Sequence, residues 1–259
     1  MQILFHNPRF RTLVYRWRPV ADEEDTDSRI IRQLQLVFAH LQFSRLPLHN
    51  AIGLVDALSL SHSVQQDGQE FCKLFMQVVE RQLARQLDGT LRNAIPAEFC
   101  GRYAYTTRCL TCEVESSQPS PFYELALPTK GKPHLHDSLQ EYFQTEPLTG
   151  PNQYHCPRCA RSQDATRRVV LTALPPVLSL HLLRFEYDMR TFSKKKITEP
   201  LRFPDTLDMR PYVAAPPAGA SETEYVYDLQ AVLIHRGPSA SHGHYIAQVL
   251  EHSVRPTGV

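Results

Sequence analysis

Apolar positions follow a helical period through the first third of the chain and shorter, strand-like runs after it. Ile3, Leu4 and Phe5, then Leu13, Val14 and Trp17, predict a helix broken near Pro8 and resumed beyond it. Ile30, Leu34, Val37, Phe38 and Leu41 repeat at helical spacing, and another helix is expected around Gly53–Leu60. Asp67 precedes Phe71, Leu74, Phe75, Val78, Val79, Gln82 and Leu83, which predicts an amphipathic helix with Asp67 as its N-cap. Core packing is the default reading of these stripes. The acidic run Ala21–Asp27 reads as a solvated loop able to cap the helix after it, because carboxylates favour helix N-termini.

From about Phe99 the segments shorten and turn rich in Tyr, Thr, Val and Phe, with Pro and Gly between them. Tyr103–Thr107, Phe122–Leu127, Arg167–Leu171, Val177–Phe185, Tyr225–His235 and His244–Leu250 are predicted strands. Ser138–Phe143 is a predicted short helix, and Ala214–Ser221 a flexible loop. Helices first and strands later favour an α+β class over alternating βαβ units.

Composition adds limits. The 259 residues can bury a substantial core, and 42% apolar with 21% charged residues is ordinary for a globular protein. A formal net charge of +1 gives no reason to expect nucleic acid or an anionic membrane as partner, and no apolar run reaches bilayer-spanning length. Twenty prolines against ten glycines favour loops and strand edges over long helices. Nothing at the N-terminus reads as a secretory signal, so a reducing compartment, cytoplasm or nucleus, is expected.

Four of the six cysteines stand in two pairs, Cys109-Leu-Thr-Cys112 and Cys156-Pro-Arg-Cys159. Two such pairs can give four thiolates to one tetrahedral Zn²⁺. Two disulfides or four separate buried thiols are the alternatives. A folded excursion is expected between the pairs. The zinc would pin a sheet that lacks a large core of its own. Cys72 and Cys100 read as buried, unreactive thiols.

Near the end of the chain, the predicted strand holding His235 leads through a loop to Ser241-His242-Gly243-His244-Tyr245. Histidine titrates near neutral pH and serves as a general base, and Gly243 permits close backbone approach. Each of these histidines taken alone is more often structural.

Taken in order, several motifs resemble the catalytic domain of the ubiquitin-specific proteases, cysteine-dependent deubiquitinases. They are Gln65-Gln66-Asp67-Gly68-Gln69-Glu70-Phe71; Phe99-Cys100-Gly101 with the first cysteine pair; the second pair; Leu174–Leu178 through Leu183-Arg184-Phe185; Lys194–Lys196; Phe203-Pro204; Leu207-Asp208; and the Tyr227–Tyr245 histidine box. The resemblance implies a papain-like cysteine protease fold in one domain: a thumb over 1–95, zinc-binding fingers over 96–170 and a palm over 171–259. It implies His244 as the general base, His235 and Tyr245 lining the channel for the ubiquitin tail, and Asp67 facing the basic residues of that tail. Asp67 serves equally as a helix cap, and the two roles are compatible. Phe185 is a candidate ubiquitin contact or a core aromatic, and Lys194–Lys196 a solvated hairpin face. The implied partners are ubiquitin and ubiquitinated proteins, with neither nucleic acid nor membrane.

By the same resemblance, the nucleophilic cysteine and the asparagine supporting the oxyanion belong before Gln2. The Asn or Asp that orients the histidine belongs in a segment beyond Val259. The chain is therefore expected to hold one member of the catalytic set, and to be inactive alone as part of a thiol deubiquitinase cut short at both ends. An inactive ubiquitin-binding protein is the second reading. A zinc-dependent structural or nucleic-acid module is the third, with the near-neutral charge against it.

Overall fold

A computed structural model describes residues 1–20, 25–46, 50–61, 67–190, 192–214, 225–239 and 242–250. Residues 21–24 of the acidic run, Gln65-Gln66, most of the Ala214–Ser221 loop, Ser241 and the end of the chain from Glu251 lie outside the described residues. The chain forms two compact units: 1–96 with 230–259, and 97–229.

The first unit begins with α1 (Gln2–His6) and α2 (Pro8–Arg16). The break falls at Asn7, whose side chain accepts from Phe10 N–H at 3.0 Å, with Pro8 at the first helical position where its missing N–H costs nothing. α3 (Thr26–Phe43) follows with Asp25 as N-cap, then α4 (Ile52–Ala57), α5 (Gly68–Ala84) and α6 (Gly89–Arg92). α7 (Ala94–Phe99) carries the chain from one unit to the other.

Phe10, Val14, Trp17, Ile31, Leu34, Phe38, Phe75, Val79 and Leu83 are buried together as this unit's core. Two glutamines satisfy backbone that the core would otherwise strand. Gln35 Nε2 donates to the Val14 and Trp17 carbonyls, closing the end of α2, and Gln86 exchanges hydrogen bonds with the Arg18 backbone.

The second unit holds a four-stranded antiparallel sheet. Its strands are β1 (Gly101–Cys109), β2 (Glu115–Phe122), β4 (Glu146–Leu148) and β7 (Ala165–Ala173), in the order β2-β1-β7-β4. β3 (Leu125–Pro128) pairs in parallel with β8 (Leu180–Leu183), and β5 (Tyr154–Cys156) forms a hairpin with β6 (Arg161–Gln163). β9 (Phe185–Asp188) pairs with β10 (Ser193–Lys196), and β11 (Thr206–Asp208) with β12 (Val226–Asp228).

α8 (Leu135–Phe143) packs over β3 and β7. Leu125, Leu127, Leu135, Leu139, Leu171 and Met209 form the core of this unit. The last hairpin, β13 (Ala231–Arg236) with β14 (His244–Val249), belongs to the helical unit, where α1 packs against β14. No described helix is long and apolar enough to cross a membrane.

Several expectations change. Three predicted strands divide: Phe122–Leu127 bends at Tyr123-Glu124, Val177–Phe185 breaks at Arg184, and Tyr225–His235 parts at Leu229-Gln230. β2 is not among the predicted strands, and it contains Pro119 and Pro121, which cannot donate to a ladder. It is an edge strand, and prolines two apart direct their nitrogens to one side, where no neighbour asks for a donor.

Cys72 is exposed rather than buried, and so is Leu74 (55%). Helical period put Cys72 on the inward stripe of α5, but burial of that helix begins only at Phe75. Leu41, at the far end of α3, is 39% exposed for the same reason. Cys100 is half-buried.

Candidate active site and metal centre

Within the helical unit, the histidine hairpin meets the first turn of α5. In β13–β14, His235 pairs across from Tyr245, and Arg236 from His244. The His235 and Tyr245 rings meet edge to face, with centroids 4.9 Å apart. The Tyr245 hydroxyl accepts from Gly68 N–H at 3.1 Å. Asp67 caps α5: its Oδ1 accepts from Gln69 N–H at 2.9 Å and from Glu70 N–H at 3.1 Å. Asp67 and His244 are thus the chain neighbours of one hydrogen-bonded pair, Gly68 and Tyr245. His244 is exposed, while His235 and Tyr245 are half-buried.

Glycines close the hairpin's open end. A Cβ on Gly243 would lie 2.4 Å from His235 Nε2 and 2.5 Å from the Arg236 carbonyl oxygen. One on Gly237 would lie 2.2 Å from the His242 carbonyl oxygen. The expectation that Gly243 serves close approach therefore holds. Sequence reasoning missed Gly237 and Gly68, though Gly237 and Gly243 bracketing a histidine loop was a usable signal.

In the other unit, the Cys109, Cys112, Cys156 and Cys159 sulfurs all lie within 4.8 Å of one another. The first pair sits where β1 turns toward β2, and the second spans the β5–β6 hairpin. In both, the residue after the second cysteine is left-handed: Glu113 at φ 58° and Ala160 at φ 54°. Leu110, in the first turn, donates its N–H at 2.9 Å to the carbonyl of Asp164, the residue that links β6 to β7.

Sulfurs of a tetrahedral site with Zn–S bonds of about 2.3 Å stand about 3.8 Å apart. Cys112 and Cys156 are separated by 3.6 Å. The Cys112 backbone N–H, aided by that of Thr111, brings the Cys109 thiol down to about 7. The Cys112 thiol, then burial, pushes Cys159 up to about 12. Thiolates this close repel, and a divalent cation relieves that repulsion. The four cysteines could hold such an ion; on β10, Lys194 and Lys195 are exposed while Lys196 is half-buried, so the solvated face expected of Lys194–Lys196 holds for the first two only.

The profile described as ubiquitin carboxyl-terminal hydrolase matches residues 1–255. The chain is 42% identical over 255 residues to ubiquitin carboxyl-terminal hydrolase 48 of Danio rerio, covering 96% of this chain and 24% of that protein. To the Rattus norvegicus protein of that name it is 45% identical over 220 residues, covering 85% and 21%. To ubiquitin carboxyl-terminal hydrolase 26 of Oryza sativa subsp. japonica it is 35% identical over 256 residues, covering 98% and 23%. The chain spans less than a quarter of the length of these relatives. A family match running from the first helix through the histidine hairpin leaves one conclusion: the chain belongs to the ubiquitin carboxyl-terminal hydrolase family.

Proposed function

We propose that this chain is the ubiquitin-holding body of a cysteine-type deubiquitinase, with thumb (1–95), fingers (96–170) and palm (171–259). The observation that carries this reading is the meeting of Asp67, Gly68, His235 and Tyr245 at the first turn of α5, with His244 next to Tyr245 on β14, in a chain of this family. Asp67 faces the basic residues of the ubiquitin tail through a charge-assisted contact. His235 and Tyr245 line the passage for its terminal glycines. His244 takes the proton from a cysteine thiol, and the thiolate attacks the carbonyl of the terminal glycine. The lysine amine leaves with a proton, and water hydrolyses the resulting thioester. Zinc on Cys109, Cys112, Cys156 and Cys159 fixes the fingers and takes no part in the bond-breaking step.

None of the six cysteines matches the family's nucleophile, so the 259-residue chain binds ubiquitin without turning it over. A ubiquitin bearing a fluorogenic C-terminal amide tests this. Hydrolysis abolished by Cys72→Ala would overturn the assignment, and exposed Cys72 makes that control necessary. Extending the chain by its flanking coding sequence separates the two ubiquitin readings. Turnover restored by a cysteine-bearing extension marks the enzyme. Binding with no such segment marks an inactive ubiquitin-binding protein.

A further inference from the structure

We propose that Tyr245 is a positioning residue that caps α5 from another element and so sets the Asp67 carboxylate relative to His244. The first four N–H groups of a helix have no partner within it. In α5 three of them, at Gly68, Gln69 and Glu70, donate to side chains, and the i→i−4 ladder starts at Phe71. Gln69 and Glu70 donate to the Asp67 side chain, and Phe71 to the Asp67 carbonyl at 2.9 Å. Gly68, at the first helical position, donates to the Tyr245 hydroxyl, 177 residues away in sequence.

The tyrosine ring is itself held. His235 meets it edge to face, and a Cβ on Gly68 would lie only 3.0 Å from Tyr245 Cε1 and 3.3 Å from Leu233 Cδ2. Leu233 and His235 stand two apart on β13 and share a face, which puts them on the side from which Tyr245 reaches α5. One hydroxyl therefore links the strand that starts at His244 to the turn that starts at Asp67. Its loss leaves the carboxylate on a first turn free to shift.

The consequence for binding rests on the ubiquitin reading, but the contact does not, so the test has two arms on the full 259-residue chain. In Tyr245→Phe, amide exchange at Gly68 is expected to quicken about tenfold while Phe75 and Val79 exchange as before. Unchanged exchange at Gly68 overturns the proposal whatever binds. In the second arm, calorimetry with ubiquitin compares Tyr245→Phe, Asp67→Asn and the double variant. Tyr245→Phe is expected to weaken binding about fivefold in the wild-type background and to add nothing to Asp67→Asn. An equal loss in both backgrounds means that the hydroxyl acts on ubiquitin directly rather than through Asp67, and overturns the positioning role. A wild-type chain that binds no ubiquitin sinks the functional reading, and Gly68 exchange then decides the inference alone.

Discussion

A methyl group on Gly243 would meet His235 Nε2 at 2.4 Å and the Arg236 carbonyl oxygen at 2.5 Å, and the second of these is backbone that cannot swing aside. Gly243→Ala must therefore either displace the His235 ring or open the end of the β13–β14 hairpin. Overpacking of this kind costs about 1–3 kcal/mol. At about 2–4 °C per kcal/mol for a chain of this size, thermal denaturation should show a clear fall in Tm. A variant melting with wild-type Tm would mean the hairpin end yields freely. At this scale the sequence was readable where chemistry and spacing agree: Asp67 as a cap, Gly243 as a close approach, four cysteines as one cluster. It was unreadable at Cys72, because a helical period reports which face a residue occupies and says nothing about how far along the helix the next layer reaches.

Helices α3 and α5 are joined by charge at their ends. Asp25 caps α3 and reaches Arg85 beyond α5, while Arg81 on α5 pairs with Asp27. Hydrogen bonds from Ser28, the backbone N–H first at 2.6 Å, then the Arg85 guanidinium, hold the Asp25 carboxyl well below the usual carboxylate range. A carboxyl depressed in the folded state contributes stability that is complete above the unfolded value of about 3.9 and is lost as pH falls below it. Asp25→Asn keeps a capping oxygen and removes the titration. Urea midpoints measured from pH 6 down to pH 2 should fall less steeply in this variant than in wild type, and parallel curves would remove Asp25 from the account. The elements were legible here because a long stripe such as Ile30, Leu34, Val37, Phe38 repeats often enough to be unambiguous. Short strands offer no such redundancy. β2 has no buried stripe along most of its length, so only its place beside β1 makes it a strand.

Across the molecule, the sheet unit is apolar at one end and metal-ready at the other. Leu125, Leu127, Leu135, Leu139 and Leu171 are buried around α8, whereas Arg108, Arg167 and Arg168, toward the cysteines, are exposed. The exposed arginines leave that end less apolar burial than the leucine core gives the other, and an ion chelated by the four cysteines would add to its stability. The zinc reading was available from sequence alone while the sheet order was not: ligand spacing is local, and strand pairing is decided by contacts far apart in the chain. Elemental analysis should find about one zinc per chain, since four thiolates complete one tetrahedral site. Cys112→Ser should abolish it. Stripping the ion with a chelator should speed amide exchange at Thr106–Cys109 and at Ala165–Arg168, while Leu139 in α8 stays protected. Full zinc retained by Cys112→Ser would refute the four-ligand site. Uniform exchange across β1 and α8 after chelation would show instead that the metal stabilises the unit as a whole, and that its apolar end does not stand without the ion.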